Sequence, residues 1–181
     1  MFVKKPGGGI RLCVDYRRLN AITKKDRYLI PLIDETMANV AGYKIMTKLD
    51  IRKAFNRIRI ATPKDKDLLT FYTPLSNFKP RVLGFRPCNG PATFQRFINE
   101  TLFEYLNVFY TAYIDDILIY SQDQKEHRNH VRLVLLRLRG AGLQVDINKS
   151  EFNVTKTKFL GLIVSTDGIE IDPAKIEVIR D

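Results

Sequence analysis

Two adjacent carboxylates, Asp115 and Asp116, sit within Phe109-Tyr110-Thr111-Ala112-Tyr113-Ile114-Asp115-Asp116-Ile117-Leu118-Ile119-Tyr120, a run otherwise apolar, β-branched and aromatic. Such a run folds into two short strands with the acids at or near the bend. Aspartate also favours turns simply because its side chain bonds nearby backbone, and a solvated Asp-Asp turn does no chemistry. The flanks argue against that. Carboxylates held at the edge of an apolar sheet must be paired or must bind a cation. A third acid, Asp50, ends the strand expected over residues 44–50. Carboxylates converging from neighbouring strands repel unless a hard cation neutralises them, and Mg²⁺ prefers oxygen ligands together with substrate phosphates. Two such ions, ~3.5–4 Å apart, can activate an attacking 3′-hydroxyl and stabilise a leaving pyrophosphate.

The elements that must position these acids follow from local pattern. Val3-Lys4-Lys5-Pro6-Gly7-Gly8-Gly9-Ile10-Arg11-Leu12 reads as a hairpin closed by a Pro-Gly-Gly-Gly turn, with lysines on one arm and Arg11 on the other facing the same space. Residues 15–31 carry mixed charge and end at Pro31. A short helix is predicted over 33–40, with Asp34 and Glu35 in its first turn and Gly42 as its stop. In the strand 44–50, Ile45, Thr47 and Leu49 alternate; a second strand is predicted over 57–60. Residues 61–90 are rich in proline and read as loop. Pro91 opens a helix whose Phe94, Ile98, Leu102 and Tyr105 recur at helical spacing. Beyond the acids, Ser121 and Gln124 offer a capping box for a helix buried through Val131, Val134, Leu135 and Leu138 and ending at Gly140 or Gly142. His127 and His130 fall on its polar side, as solvated histidines. Residues 143–171 return to short strands, including Lys158-Phe159-Leu160-Gly161-Leu162-Ile163-Val164, and Asp172-Pro173 starts a last helix. Mixed elements with antiparallel hairpins make an α+β fold.

The 181 residues carry a formal charge of +10, unevenly spread. Residues 1–60 hold 14 lysines and arginines against 5 acids, residues 61–181 hold 16 against 15. A basic first third suggests a phosphate-facing surface and a nucleic-acid or nucleotide partner. No apolar run approaches the ~20 residues of a membrane span, so no membrane partner is expected. No targeting signal is read. Cys13 and Cys88 make neither a disulfide framework nor a metal cluster and are expected as reduced, buried thiols.

Five blocks, in order, resemble the reverse transcriptase (RNA-directed DNA polymerase) domain of gypsy-type long-terminal-repeat retrotransposon polyproteins. They are Leu12-Cys13-Val14-Asp15-Tyr16-Arg17-Arg18-Leu19-Asn20, Lys48-Leu49-Asp50-Ile51-Arg52, Asn89-Gly90-Pro91-Ala92-Thr93-Phe94-Gln95-Arg96, Tyr113-Ile114-Asp115-Asp116 and Phe159-Leu160-Gly161. The resemblance implies a fingers-palm polymerase fold, an antiparallel palm sheet packed on helices, without a thumb. One domain fragment spans 1–181, fingers-like over about 1–42 and 61–90 and palm-like over about 43–60 and 91–181. It implies extension of a primer on an RNA or DNA template with dNTPs, using Mg²⁺ or, in its place, Mn²⁺ held by Asp50, Asp115 and Asp116. It makes Phe55 the aromatic gate that excludes a ribose 2′-hydroxyl, the other reading being a core aromatic. Lys4 and Arg11 match fingers residues that hold the triphosphate. Phe85 falls in the nucleotide-binding segment. Lys149 matches a lysine that protonates pyrophosphate, with a solvated lysine as the alternative. Arg17, Gln95 and Tyr113 match positions near template and primer, and Phe159, Leu160 and Gly161 match the grip on the primer end. Cytoplasmic particles or the nucleus follow by analogy, with an organelle left open.

One segment departs from this pattern. The family usually has Pro-Phe-Gly-Leu before the asparagine matched by Asn89, and this chain has Gly84-Phe85-Arg86-Pro87. Arg86 replaces a glycine that lets backbone approach the nucleotide closely, and Pro87 removes an N–H donor. Upstream, Tyr72 and Pro74 stand where the family tends to have arginines. The thumb, protease, RNase H and integrase regions of a parent polyprotein are expected to be missing. Two readings therefore stand: a metal-dependent polymerase domain, or a degenerate fragment that binds nucleic acid without catalysis. An unrelated two-metal nuclease would explain neither Phe55 nor the last block.

Overall fold

A computed structural model describes residues 2–4 and 8–173. In chain order the elements are β1 (Phe2–Lys4), β2 (Ile10–Leu12), α1 (Arg17–Ile22), α2 (Ile33–Val40), β3 (Ile45–Asp50), a 3₁₀ turn (Ala54–Arg57), α3 (Pro63–Leu68), β4 (Phe71–Tyr72), β5 (Asn77–Phe78) and α4 (Gly90–Thr101). A second 3₁₀ turn (Phe103–Tyr105) precedes β6 (Tyr110–Tyr113), β7 (Asp116–Ser121) and α5 (Gln124–Gly140). A third (Ile147–Lys149) leads to β8 (Glu151–Val154), β9 (Lys156–Phe159), β10 (Leu162–Ser165) and β11 (Gly168–Ile171). The fold is α+β with antiparallel strand pairs, as the sequence implies. The chain divides into two compact units, residues 1–28 with 53–94, and residues 29–52 with 95–181.

In the first unit, β1 and β2 form the expected hairpin, but the register sets Lys4 against Ile10 and Val3 against Arg11. Lys4 and Arg11 are thus not directly opposed across the strands; residues 5–7 of the turn lie outside the described residues. The strand expected over 57–60 does not form. Lys53, at φ 53°, turns the chain into the 3₁₀ segment, which takes up Arg57, and beyond it Arg59 makes only an isolated bridge to Val82. Two helices went unread in the sequence. In α3, Thr62 caps the first turn by accepting from the Asp65 amide at 3.1 Å and donating to its carboxylate at 2.6 Å, with Pro63 in the first turn. The other is α1. Cys13 is buried, and no disulfide joins the cysteines.

The second unit is built on a four-stranded sheet in the order β6-β7-β3-β8. Directly opposed residues of an antiparallel pair share a face, and faces alternate along each strand. The β3–β7 register opposes Met46 to Tyr120, Thr47 to Ile119, Lys48 to Leu118, Leu49 to Ile117 and Asp50 to Asp116. Met46, Leu118 and Tyr120 pack on one face with Met37 and Val40 of α2 and with Phe159 and Val164. Thr47 and Ser121 lie on the other face, towards α5. Both faces are covered, which is why Ile117 to Tyr120 are all buried. The expected strand through 158–164 is in fact a hairpin: Phe159 pairs with Leu162, and Leu160 (φ 53°) and Gly161 (φ 77°) make a two-residue turn that needs left-handed backbone at both positions. The helix opened by Pro91 ends at Thr101, so Tyr105 falls in the following 3₁₀ turn. The helix expected after Asp172-Pro173 lies outside the described residues.

Helix α5 corrects two expectations. Its cap is Asp123, which accepts from the Lys125 amide at 2.7 Å; Ser121 belongs to β7. Its histidines are not solvated. His127 is fully buried, bonded through Nε2 to Thr47 Oγ1 and through Nδ1 to Ser121 Oγ, each at 2.8 Å. His130 bonds the same Ser121 oxygen at 2.8 Å and stacks on Phe109. The i,i+3 pair faces the sheet because the helix crosses above two hydroxyls that need partners.

Burial, reinforced by the neighbouring His130, holds the His127 pKa down to about 4. The unfolded imidazole takes a proton below pH ~6.5 while the folded one stays neutral. Stability that is complete above pH ~6.5 should therefore fall as pH drops towards 4, by roughly 1–3 kcal/mol. Urea midpoints measured across that range should show the slope in the natural protein and a shallower one in His127→Gln, which cannot charge.

Candidate active site

The β6–β7 hairpin turns through Ile114 and Asp115, with Tyr113 paired to Asp116. Asp116 is the first residue of β7, and the β3–β7 register sets it directly opposite Asp50. Asp115 is tied to the same place by its backbone, its carbonyl accepting from the Ile51 amide at 3.1 Å. Three acids 65 residues apart in sequence thus meet at one end of one sheet. The turn is strained: Ile114, a β-branched residue, sits at φ 56°. Burial raises the Asp115 carboxyl above its usual pKa, and the charges of Asp116 and Asp50 add to the effect. Asp116 is raised by burial as well, with Lys48 opposing and Asp50 adding.

Two lysines answer this negative charge. Lys149, its side chain 63% exposed, places Nζ 3.5 Å from Asp50 Oδ2. Lys48 Nζ lies 3.8 Å from Asp116 Oδ1. The carboxylates offer all-oxygen ligands, half-buried and mutually repelling, a donor set that fits a hard divalent cation. Among the described residues no three His, Cys, Asp or Glu side chains are gathered into a coordination sphere.

Backbone bonds fix Asp50 from the other side. Its amide donates to Ser150 Oγ at 3.2 Å, its carbonyl accepts from the Asp146 amide at 2.9 Å, and Ser150 Oγ in turn donates to the Asp146 carbonyl at 2.8 Å. The acid turn is held by Gln95. That side chain, expected beside the template, is fully buried: Nε2 donates to the Ala112 carbonyl (3.1 Å) and Asn99 Oδ1 (3.0 Å), and Oε1 accepts from the Ile114 amide at 2.7 Å. It acts on the acids through the backbone. Phe159 is likewise a correction: it is fully buried in the core, so it anchors the β9–β10 hairpin and only Leu160 and Gly161 form its tip. Tyr113 is half-buried against the same core.

The remaining candidates belong to the first unit. Phe55 is half-buried on the 3₁₀ turn, its ring 5.3 Å from that of Phe85 and 5.9 Å from that of Phe94. Arg17 is exposed and held by Asp15, with Nη2 2.6 Å from Oδ2. Lys4 is exposed on β1; Arg11 has its backbone in β2. Arg86 has φ 85°, so a residue with a side chain occupies left-handed backbone where the related pattern has glycine. The segment is pinned despite the strain. Asn20 donates to the Arg86 carbonyl and accepts from the Cys88 amide, each at 2.9 Å, while Asn89 accepts from the Asp26 amide at 3.0 Å and donates to the Lys24 carbonyl at 2.9 Å. Sequence reasoning assigned no role to Lys48, Ser150, Asn20 or Asn89. Only Lys48 carried a signal, being two residues before Asp50 on a strand and so on its face.

Antiparallel strands thus bring three carboxylates to one hairpin. The family model described as reverse transcriptase (RNA-dependent DNA polymerase) matches residues 3–164, and the chain belongs to that family. It is 39% identical over 181 residues to the Retrovirus-related Pol polyprotein from transposon opus of Drosophila melanogaster, covering 98% of this chain and 18% of the relative. It is also 39% identical over 168 residues to the Transposon Tf2-3 polyprotein of Schizosaccharomyces pombe, covering 93% of this chain and 12% of the relative. The chain therefore spans less than a fifth of these relatives. Among solved structures, the foamy viral protease-reverse transcriptase in complex with dsDNA superposes with a TM-score of 0.89 at 22% identity, over 99% of this chain and 37% of that one. A Prototype Foamy Virus Protease-Reverse Transcriptase mutant gives 0.76 at 29% identity, over 88% and 21%. The expected retrotransposon kinship and fingers-palm fold both hold.

Replacing Gln95 by leucine should destabilise the protein by about 2–3 kcal/mol, because the Ala112 carbonyl and Ile114 amide are left buried without a partner. Arg86→Gly should instead stabilise it by about 0.5–1 kcal/mol, the left-handed penalty less the extra chain entropy of glycine. Urea denaturation of both variants checks the two opposite signs.

Proposed function

We propose that this chain is the catalytic part of an RNA-directed DNA polymerase, extending a primer 3′-hydroxyl with dNTPs on a nucleic-acid template. The observation that carries this reading is the cross-strand pairing of Asp50 with Asp116, with Asp115 in the adjoining turn. Asp50, Asp115 and Asp116 would hold divalent cations, Mg²⁺ or Mn²⁺ in its place. When bound, these supply activation of the hydroxyl and charge stabilisation of the departing pyrophosphate. Lys149, beside Asp50, would donate a proton to that leaving group. Lys4 and Arg11 would hold the triphosphate, and Phe55 with Phe85 would shape the sugar pocket. Tyr113, Leu160 and Gly161 would lie along the primer, and exposed Arg17 along the template. The first compact unit would serve as fingers and the second as palm, which differs from the sequence-based boundaries at 29–42, 53–60 and 91–94. The nucleic-acid complexes of the foamy viral structural relatives support a duplex of RNA/DNA or DNA as partner.

Primer extension in Mg²⁺ or Mn²⁺ tests the reading. Asp115→Asn should lower it about a hundredfold or more while leaving duplex binding intact. That binding should weaken linearly with log salt. A second reading, a fragment that binds nucleic acid without catalysis, draws on Arg86 in left-handed backbone at the nucleotide segment. Restoring the family pattern with Gly84→Pro, Arg86→Gly and Pro87→Leu separates the two. Extension by the restored chain alone would establish the second reading; similar rates from both chains would discard it.

A further inference from the structure

Lys48 has no role in the motif pattern, yet its surroundings are unusual for a lysine. It stands on β3 two residues before Asp50, on the sheet face that carries Asp50 and Asp116. Its side chain is only 19% exposed. Nζ donates to the Lys158 carbonyl of β9 at 2.9 Å and stands 3.8 Å from Asp116 Oδ1. One half-buried cation thus stands between the Asp116 carboxylate and the strand that leads into the Leu160-Gly161 turn. Lysine suits this position because an ammonium is a compact charge whose three donors can serve two acceptors at once.

We propose that Lys48 is a positioning residue that couples the state of the Asp116 carboxylate to the placement of the β9–β10 hairpin. With Asp116 uncompensated, the ammonium is drawn between the carboxylate and the Lys158 carbonyl. With a divalent cation bound at the acids, that attraction would be screened and Lys48 would be left to the Lys158 carbonyl of β9. The hairpin then answers to occupancy of the acid site. By linkage the effect runs both ways: whatever seats the hairpin changes the affinity of Asp116 for the cation. The inference rests on the polymerase reading for its meaning, since the hairpin tip is where a primer end would lie, but its geometry does not depend on that reading.

The test uses the full chain and two readouts. Hydrogen exchange of the amides in residues 156–165 is followed with and without Mn²⁺, in the natural protein, Lys48→Met and Lys48→Arg. Mn²⁺ should alter exchange in the natural protein and in Lys48→Arg, about tenfold for one charge-assisted hydrogen bond, and leave Lys48→Met unresponsive. Mn²⁺ binding to the free protein, measured by calorimetry, should be several-fold tighter in Lys48→Met, which lacks the competing charge. Lys48→Met should also raise the KM for primed template and leave that for dNTP unchanged. An equal Mn²⁺ response in all three proteins, or none in the natural one, would overturn the coupling. Should Lys48→Met not fold, Lys48→Gln carries the same comparisons. If the natural chain does not extend primers, the polymerase reading fails on its own, and exchange and calorimetry still decide the role of Lys48.

Discussion

The antiparallel register of β3 against β7 is the constraint on which the rest depends. Strand side chains alternate faces, so a slip of one residue would send Asp50 to the opposite face from Asp116. What prevents the slip is burial on both sides. Met46, Leu118 and Tyr120 are sealed by α2 and the β9–β10 hairpin, and Thr47 and Ser121 are joined to His127 across the other face. A slip would expose the first set and leave the second without partners, at a cost of several kcal/mol. The acids themselves add nothing favourable to that register. Their geometry is imposed by the apolar and hydroxyl residues behind them.

The electrostatics of the site follow from this imposition. Three carboxylates are held together, and burial together with their mutual repulsion raises the pKa values of Asp115 and Asp116. Lys48 and Lys149 relieve part of it from two sides. They differ in setting: Lys149 is largely exposed and can swing, whereas Lys48 is confined within the sheet face. A confined charge adjusts only by changing which neighbour it serves, while an exposed one can leave.

The sequence made the acids and their strands legible because strand alternation and turn chemistry are local. The α5 stripe and the apolar face of α4 were legible for the same reason. His127 was misread because its burial depends on Thr47, eighty residues away, and no local pattern on α5 records a hydroxyl on a distant strand. Gln95 was assigned to the template from the motif alone; only its proximity to the backbone of Ala112 and Ile114 reveals its work. The turn at Leu160-Gly161 was hidden inside an apolar run because leucine rarely adopts left-handed backbone. The short α3 was missed although Thr62, Pro63 and Asp65 carry its cap, because the surrounding prolines read as loop. Periodic apolar patterns were thus readable, while side chains whose partners lie far along the chain, and short turns inside apolar or proline-rich runs, were not.

The central position of β3 has a consequence for how the protein is made. Its two sheet neighbours, β7 and β8, are translated some seventy and one hundred residues after it, and the bonds that bracket Asp50 come from Asp146 and Ser150. A growing chain must therefore carry an apolar strand, Ile45 to Leu49, without hydrogen-bonding partners until much of the second unit has left the ribosome. Contacts of such separation form late and keep sticky edges open meanwhile. At typical elongation rates the wait lasts several seconds, long enough for a chaperone to engage the strand. Nascent chains stalled before residue 116 should be the aggregation-prone ones, and completion of β8 should be the moment at which the acids first share a site.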